Sequence, residues 1–377
     1  MAKNPKTQIS ETSSLITSAL FSSSLWGASH PLSIQRHQHV MELSDLLGWL
    51  GDNKVKTCVP ASLQTLERIH NHDYVSAFHT ASETGTVSRD MRERFNFGTM
   101  ENPIFSGLFE RAAATVGGSI LAAQLALKGQ KVFHPAGGTH HGQPDRSSGF
   151  CYFNDPAFAI LTLLEGGAGR IVYLDFDAHH GDGVEAIFSD DSRIHTLSIH
   201  EDHRWPYSGK LEDRAGGNAR NLPVPKGFHD VELAFLMDEV ISPLVAKINP
   251  EAIVLTCGAD ALEGDPLSGM SLSNTGLLKA IDQASQFAPA CVTLGGGGYN
   301  PWTVVRFWTA LWGQIAGYQF PSHLPDAATH LLSGMSCDLV DEDELNPEWL
   351  DRLIDTPKTG QKVREEIKSM AKTILAS

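Results

Sequence analysis

An α/β protein built on a parallel sheet with helices over both faces is the fold class this sequence predicts, and three observations carry the prediction. Its strand-like runs are short and almost continuously apolar (IVYLDFD at 171–177, IHTLSIH at 194–200, AIVLTCGAD at 252–260 and ACVTLGG at 290–296). Helix-length stretches separate them, near 155–165, 230–247 and 276–287. Strands buried on both faces lose the in–out alternation of an exposed sheet, and crossover helices supply the covering layers. Third, Asp, His and Gly gather where the runs end. In open α/β sheets, ligands bind beyond the carboxyl ends of the strands.

Taken in order, residues 1–29 are rich in Ser and Thr with interrupted apolar residues, and read as an N-terminal arm without the compact apolar stretch of a secretion signal. Amphipathic segments follow near 36–51 and 62–81, then a loop around 95–106. Leu108 to Lys128 is dense in Ala and Leu and stops at Gly129, a residue common just past a helix end. KVFHPAGG (131–138) reads as a strand entering a glycine turn. No repeat, low-complexity block or Pro-rich linker divides residues 30–377, which are expected to form one domain.

With 377 residues, 41% hydrophobic, the chain can bury a large core. No run approaches the roughly 18 apolar residues of a membrane span, so no membrane partner is expected. The five cysteines are scattered and odd in number, which argues against a disulfide framework or a cysteine zinc site and for a reducing cytoplasm. A formal charge of −15 argues against nucleic-acid binding and suits a cationic substrate, if only weakly. A homo-oligomer remains open, with the arm as a candidate contact.

Eight of the 17 histidines (His134, His140, His141, His179, His180, His195, His200 and His203) fall within a 70-residue stretch. Asp175, Asp177 and His179 are spaced two apart at the end of one strand, so an extended backbone points all three the same way. Asp260 ends another strand. Asp177, His179 and Asp260 form a three-ligand set with a position open for water, the form zinc takes in catalytic sites. His140 and His141 follow a glycine turn, and a His held by Asp gains a defined tautomer and a tuned basicity. LGGGGYNP (294–301) lacks the Lys-Ser/Thr of a phosphate loop, and its glycines leave Tyr299 free to approach the metal as an oxyanion donor.

Six motifs in order, ENPIFSGLFE, AGGTHHG, SGFCYFND, YLDFDAHHGDGVE, CGADALEGDPL and LGGGGYNP, resemble the histone deacetylase family, which includes acetoin-utilisation and acetylpolyamine deacetylases. The resemblance covers roughly residues 30–320. It implies an arginase-like three-layer α/β/α sandwich with a central, mostly parallel sheet, and a single deacetylase-like catalytic domain over 30–377. It implies Asp177, His179 and Asp260 as ligands of one zinc ion. His140 would be paired with Asp175, His141 with Asp182, and Tyr299 would be the catalytic tyrosine. Gly149, Phe150, Trp205 and Leu267 would line the substrate tunnel, Glu101 its rim, and Arg36 an internal acetate channel. A structural potassium site would use Asp175, Asp177, His179, Ser198 and the Ile199 carbonyl. Two positions depart from the pattern. The loop 200–210 is short, with Trp205 in place of a phenylalanine, and Glu101 replaces a rim aspartate. The implied reaction is hydrolysis of an acetyl-lysine peptide, an acetylated polyamine or another acylated amine, with His141 taking a proton from water and a protonated histidine serving the leaving amine.

Two rivals remain at this point. A binuclear arginase-type ureohydrolase would need carboxylates where Gly181 and Gly258 stand. A non-catalytic acyl-amine sensor would be expected to lack one of the ligands, histidines or the tyrosine, and none is missing.

Overall fold

The structure is a computed structural model that describes residues 13–22, 26–27, 30–51, 53–341, 344–358 and 360–376. Among the described residues eight strands make one sheet: β1 (Ser13–Thr17), β2 (Val55–Thr57), β3 (Lys131–His134), β4 (Ile171–Asp175), β5 (Ile194–Glu201), β6 (Ala219–Val224), β7 (Ala252–Thr256) and β8 (Ala290–Leu294). Their order is β2-β1-β3-β8-β7-β4-β5-β6, and every pairing is parallel. The predicted parallel α/β class is the one observed.

Successive residues of each central strand feed opposite layers. In β4, Ile171 and Tyr173 join one apolar cluster while Val172 and Leu174 join the other. Both sets are buried, which is why the strand shows no alternation in sequence. The first layer is covered by α3 (Leu108–Ala126) and α4 (Asp155–Glu165), and the second by α1 (Arg36–Leu46), α6 (Asn274–Ser285) and α7 (Pro301–Ala316). A third cluster, with Tyr74 and Phe78 of α2 (His72–Thr84), Phe97, Phe109 and Phe153, supports the loop that carries His140 to Phe150. No described helix is long and apolar enough to cross a membrane.

Four elements differ from the sequence reading. Residues 13–17, expected within the arm, form β1, which pairs on both sides with β2 and β3. The remaining described arm residues include the short helical turn Ala19–Phe21, while 1–12, 23–25, 28 and 29 lie outside the described residues. Ser13 and Ser14 are buried, and the Ser14 hydroxyl donates to Gln130 Oε1 at 2.8 Å, so a polar composition hides a core strand. β2 has only three residues. β6 contains Pro223, tolerated because β6 is an edge strand. Helix α7 (PWTVVRFWTALWGQIA) is buried nearly all round, its Thr303, Arg306 and Thr309 included, so it lacks the solvent-facing side that marks a surface helix.

Candidate active site

The site lies past the carboxyl ends of β3, β4, β7 and β8. β4 stops at Asp175, and the chain bends through 176–180, while β7 ends in the turn Ala259–Ala261. This bend splits the three evenly spaced residues. Asp177 and His179 converge on Asp260, and Asp175 turns instead to His140.

In Asp177, His179 and Asp260, ligand atoms lie within 4.8 Å of one another, and all three residues are buried. His179 Nδ1 is 2.9 Å from Asp260 Oδ2 and 3.2 Å from Asp177 Oδ1. Backbone donors fix the carboxylates. His179 N–H donates to Asp177 Oδ1 (2.9 Å), Gly297 N–H to Asp177 Oδ2 (2.6 Å) and Ala178 N–H to Asp260 Oδ1 (3.0 Å). The cradle depends on bare glycines. A Cβ at Gly297 would sit 2.0 Å from Asp260 Oδ2, and one at Gly258 would sit 2.3 Å from Asp177 Oδ2. Two carboxylates and an imidazole, held apart from water, match the hard-to-borderline donor set of a divalent cation. Burial and the adjacent Asp177 push the Asp260 carboxyl up to about 6. Like charges this close call for a cation among them.

Beside this group lie two imidazole–carboxylate pairs. His140 Nδ1 is 2.6 Å from Asp175 Oδ2, and His141 Nδ1 is 2.7 Å from Asp182 Oδ1, at the start of α5 (Asp182–Ile187). The two rings are 3.9 Å apart between centroids, too close for both to carry a charge at little cost. Burial opposes protonation of His140, but Asp175 and Asp177 outweigh it and push its pKa up to about 9. Burial and the His140 cation hold His141 down near 4, against the pull of Asp182. Outer partners orient both carboxylates. Tyr173 OH donates to Asp175 Oδ2 (2.7 Å), and Gln143 Nε2 donates to Asp182 Oδ2 (3.0 Å). Asn154 Nδ2 ties down the carbonyls of His140 and Gly142 at 3.1 and 2.9 Å.

A cleft of about 530 Å³ opens over this floor, lined by Glu101, His141, Gly149, Phe150, His179, His203, Arg204, Trp205, Tyr207, Pro266, Leu267 and Tyr299. Phe150 and Trp205 form walls, with the Trp205 ring edge-on to His141 at 4.6 Å and the Phe150 ring edge-on to Tyr299 at 5.8 Å. Gly149 and Phe150 both have positive φ (52° and 65°), a conformation costly for phenylalanine. Their N–H groups are clamped by Glu101 Oε1 (2.9 Å) and Asn102 Oδ1 (3.0 Å). Glu101 lines the cleft, with one oxygen accepting from the Gly149 loop and the other from Asn96 Nδ2 at 3.3 Å. Gly149 has no room for a side chain, since a Cβ would lie 2.4 Å from the Trp205 ring.

Tyr299 is placed by a residue the sequence reading missed. Buried Asp265 accepts the Tyr299 N–H at 2.7 Å and the Leu267 N–H at 2.9 Å. The acidic DPL step in CGADALEGDPL was the available signal. Burial and the carboxylates Asp260 and Asp177 raise the Tyr299 phenol well above its usual range, which keeps its hydroxyl a donor. Arg36 lies behind the glycine run, with Nη1 donating to the Gly296 and Gly298 carbonyls at 3.1 and 3.2 Å. It lines a small inner cavity with Arg111 and the far face of Phe150. Ser198, in register with Asp175, places its Oγ 2.8 Å from His200 Nδ1, and Ile199 is buried beside it.

The histidine cluster divides. His140, His141 and His179 meet at the floor. His180 and His200 lie beneath the 202–210 loop with rings tilted 45° at 4.8 Å between centroids, bonded to Ser208 and the Gly209 carbonyl, and His203 reaches the mouth. His134 is buried against the Thr115 carbonyl, and half-buried His195 lies on β5 outside the cleft.

Comparison with known proteins agrees with this geometry. The histone deacetylase domain matches residues 30–315. Histone deacetylase 8 of Xenopus tropicalis is 33% identical over 78% of this chain and 81% of its own length, and the acetoin utilization protein AcuC of Bacillus subtilis is 33% identical over 78% and 79%. The crystal structure of an HDAC homolog from Aquifex aeolicus superposes with a TM-score of 0.90 at 33% identity, covering 96% of this chain and 100% of that one. An HDAC homolog complexed with SAHA gives 0.89 at 32% identity, with the same coverage. Sequence and architecture agree over most of the molecule, and the chain belongs to the histone deacetylase family of hydrolases.

Proposed function

We propose that this enzyme is a zinc-dependent deacylase that hydrolyses N-acetyl or similar small acyl amides of an amine, such as an acetylated lysine or polyamine. The observation that supports this most is the buried Asp177–His179–Asp260 group on the floor of a cleft that His141 and Tyr299 also line. Asp177, His179 and Asp260 would hold the zinc, whose Lewis acidity would supply carbonyl polarisation and activation of water.

The remaining steps belong to the chain. Phe150, Trp205 and Leu267 hold the methylene arm and exclude water. Tyr299 donates its hydroxyl to the carbonyl oxygen, most strongly as negative charge develops there. Of the two histidines, His141 faces the cleft while His140 lies deeper against Asp175, so His141 accepts the proton of the attacking water. Asp182 offsets part of the repulsion between the resulting imidazolium and the His140 cation, and what remains makes the imidazolium a strong acid that protonates the departing nitrogen, since an amine anion does not leave at neutral pH. Glu101 clamps the Phe150 loop from the rim. Arg36 is read as lining an outlet for acetate. Asp175, Asp177, His179, Ser198 and the Ile199 carbonyl are read as a potassium site.

One catalytic metal is favoured over two by steric evidence. A Cβ at Gly181 would lie 2.4 Å from Asp175 Oδ2, and the one at Gly258 would strike both ligand carboxylates, so neither position has room for a bridging carboxylate.

Purified protein should release acetate from at least one member of a panel of acetyl-lysine peptides and acetylated diamines. Chelation should abolish the reaction, and one equivalent of zinc should restore it. A zinc-loaded sample inert toward the whole panel would exclude this function. Asp265→Ala should lower kcat about tenfold or more while sparing metal content, because it leaves the buried Tyr299 N–H without an acceptor, a loss of about 1–3 kcal/mol. An unchanged kcat would show that Asp265 does not position Tyr299.

A further inference from the structure

The amine side of any substrate must leave the cleft past its mouth, where the hydrogen-bonding capacity is one-sided. Among the described cleft-lining residues Glu101 is the single carboxylate, and each of its oxygens accepts one hydrogen bond, from the Gly149 N–H and the Asn96 amide. The one permanent cation there is Arg204. Its Nε and Nη2 each donate to buried Glu201 at 2.8 Å, to Oε2 and Oε1 respectively. Glu201 is fixed in turn. Its Oε2 accepts the Gly269 N–H at 2.7 Å, and Gly269 packs so closely that a Cβ would come within 2.7 Å of Oε1.

This bidentate grip uses the Nε–Nη2 edge of the guanidinium, with Nη1 turned away from Glu201. About a third of the Arg204 side chain is exposed. A guanidinium held rigidly on one edge loses little freedom when its other edge takes a second planar acceptor. An ammonium arriving at the mouth meets one lining carboxylate, Glu101, whose oxygens each already accept a hydrogen bond that fixes the Gly149 loop, whereas a carboxylate meets a preorganised donor. The acidity of the whole chain does not change this, because it is not concentrated on the cleft lining.

We propose that Arg204 recognises a carboxylate carried by the amine portion of the substrate, which makes the preferred substrates N-acylated amino acids instead of acylated polyamines. The inference rests on the deacylase function proposed above and specifies its substrate class. Glu201 acts through Arg204 as a positioning residue.

The test uses three acetamides that differ only at the far end: 6-acetamidohexanoate, its primary amide, and N-acetylcadaverine, with acetyl-lysine peptides alongside. On the zinc-loaded full chain, kcat/KM should be about tenfold or more higher for the carboxylate than for the amide, with the ammonium compound lowest. Arg204→Ala should bring the carboxylate down to the level of the amide, mainly through KM. Glu201→Gln, which keeps the cation but loosens it, should raise KM for the carboxylate with kcat little changed. If R204A does not fold, Arg204→Gln reads the same ratio. Equal rates on the three compounds, a preference for N-acetylcadaverine, or an R204A enzyme that keeps the carboxylate preference would overturn the assignment and leave the deacylase function standing. Inertness toward every amide, peptides included, would remove both.

Discussion

Gly258→Ala should lose at least a hundredfold in kcat/KM and most of its bound zinc while keeping the wild-type fold. Gly258 has φ −62° and ψ 129°, backbone that alanine adopts freely, so conformational strain plays no part. What matters is where the methyl group goes. It would lie 2.3 Å from Asp177 Oδ2 and 2.6 Å from Asp260 Oδ1, between the two proposed ligands. Neither carboxylate can step aside cheaply, because Asp177 is held by the His179 and Gly297 N–H groups and Asp260 by Ala178 N–H. Disturbing groups that orient ligands commonly weakens metal affinity 10- to 100-fold, and a direct clash with two ligands should exceed that. Overpacking itself costs about 1–3 kcal/mol, which a domain of this size survives. Metal content per chain, circular dichroism and activity measured on one preparation decide the matter. Wild-type zinc stoichiometry in a folded variant would mean that the metal is not held between Asp177 and Asp260.

Much of this site was legible in the sequence because its chemistry sits in contiguous motifs that end strands. Asp177 and His179 are two residues apart, His140 and His141 are adjacent, and each motif is carried to the same sheet edge by a parallel strand. The metal group and the two His–Asp pairs were therefore expected by residue number, and the structure brings them together. Even spacing misled in one respect. The bend after Asp175 sends that side chain to His140 instead of toward the metal group, and a period of two holds only while the strand lasts.

What stayed hidden depends on contacts distant in sequence or on burial that erases pattern. Asp265 acts on Tyr299 across 34 residues, and Glu101 acts on Gly149 across 48. Neither pairing leaves a trace in local spacing. β1 escaped because its serines look like a loose terminus, although Ser14 finds its partner in Gln130 only once the sheet has formed. α7 escaped for the opposite reason. Phe307, Trp308, Leu311 and Trp312 share one face, and Thr303, Arg306 and Thr309 on the other side are buried too, so the helix has no solvent-facing side of the kind that marks a surface helix.

Tyr299→Phe should lower kcat about a hundredfold with metal content intact, the size of effect seen when one donor to a developing oxyanion is lost. The substitution removes a single hydroxyl and keeps the ring that packs against Phe150, so substrate binding should change little and the loss should appear in kcat more than in KM. The backbone that presents Tyr299 is unaffected, since Asp265 holds its N–H and Gly298, at φ 137°, makes the turn before it. Because burial and the nearby carboxylates keep the phenol protonated, the wild-type enzyme should show no fall in rate from its ionisation in the neutral range, and the pH profile of the variant should keep its shape. Single-turnover measurements on both proteins separate the chemical step from product release. Equal single-turnover rates would remove Tyr299 from the reaction and leave it as a wall of the cleft, whereas a hundredfold gap at unchanged zinc content would place its hydroxyl on the carbonyl oxygen as charge builds there.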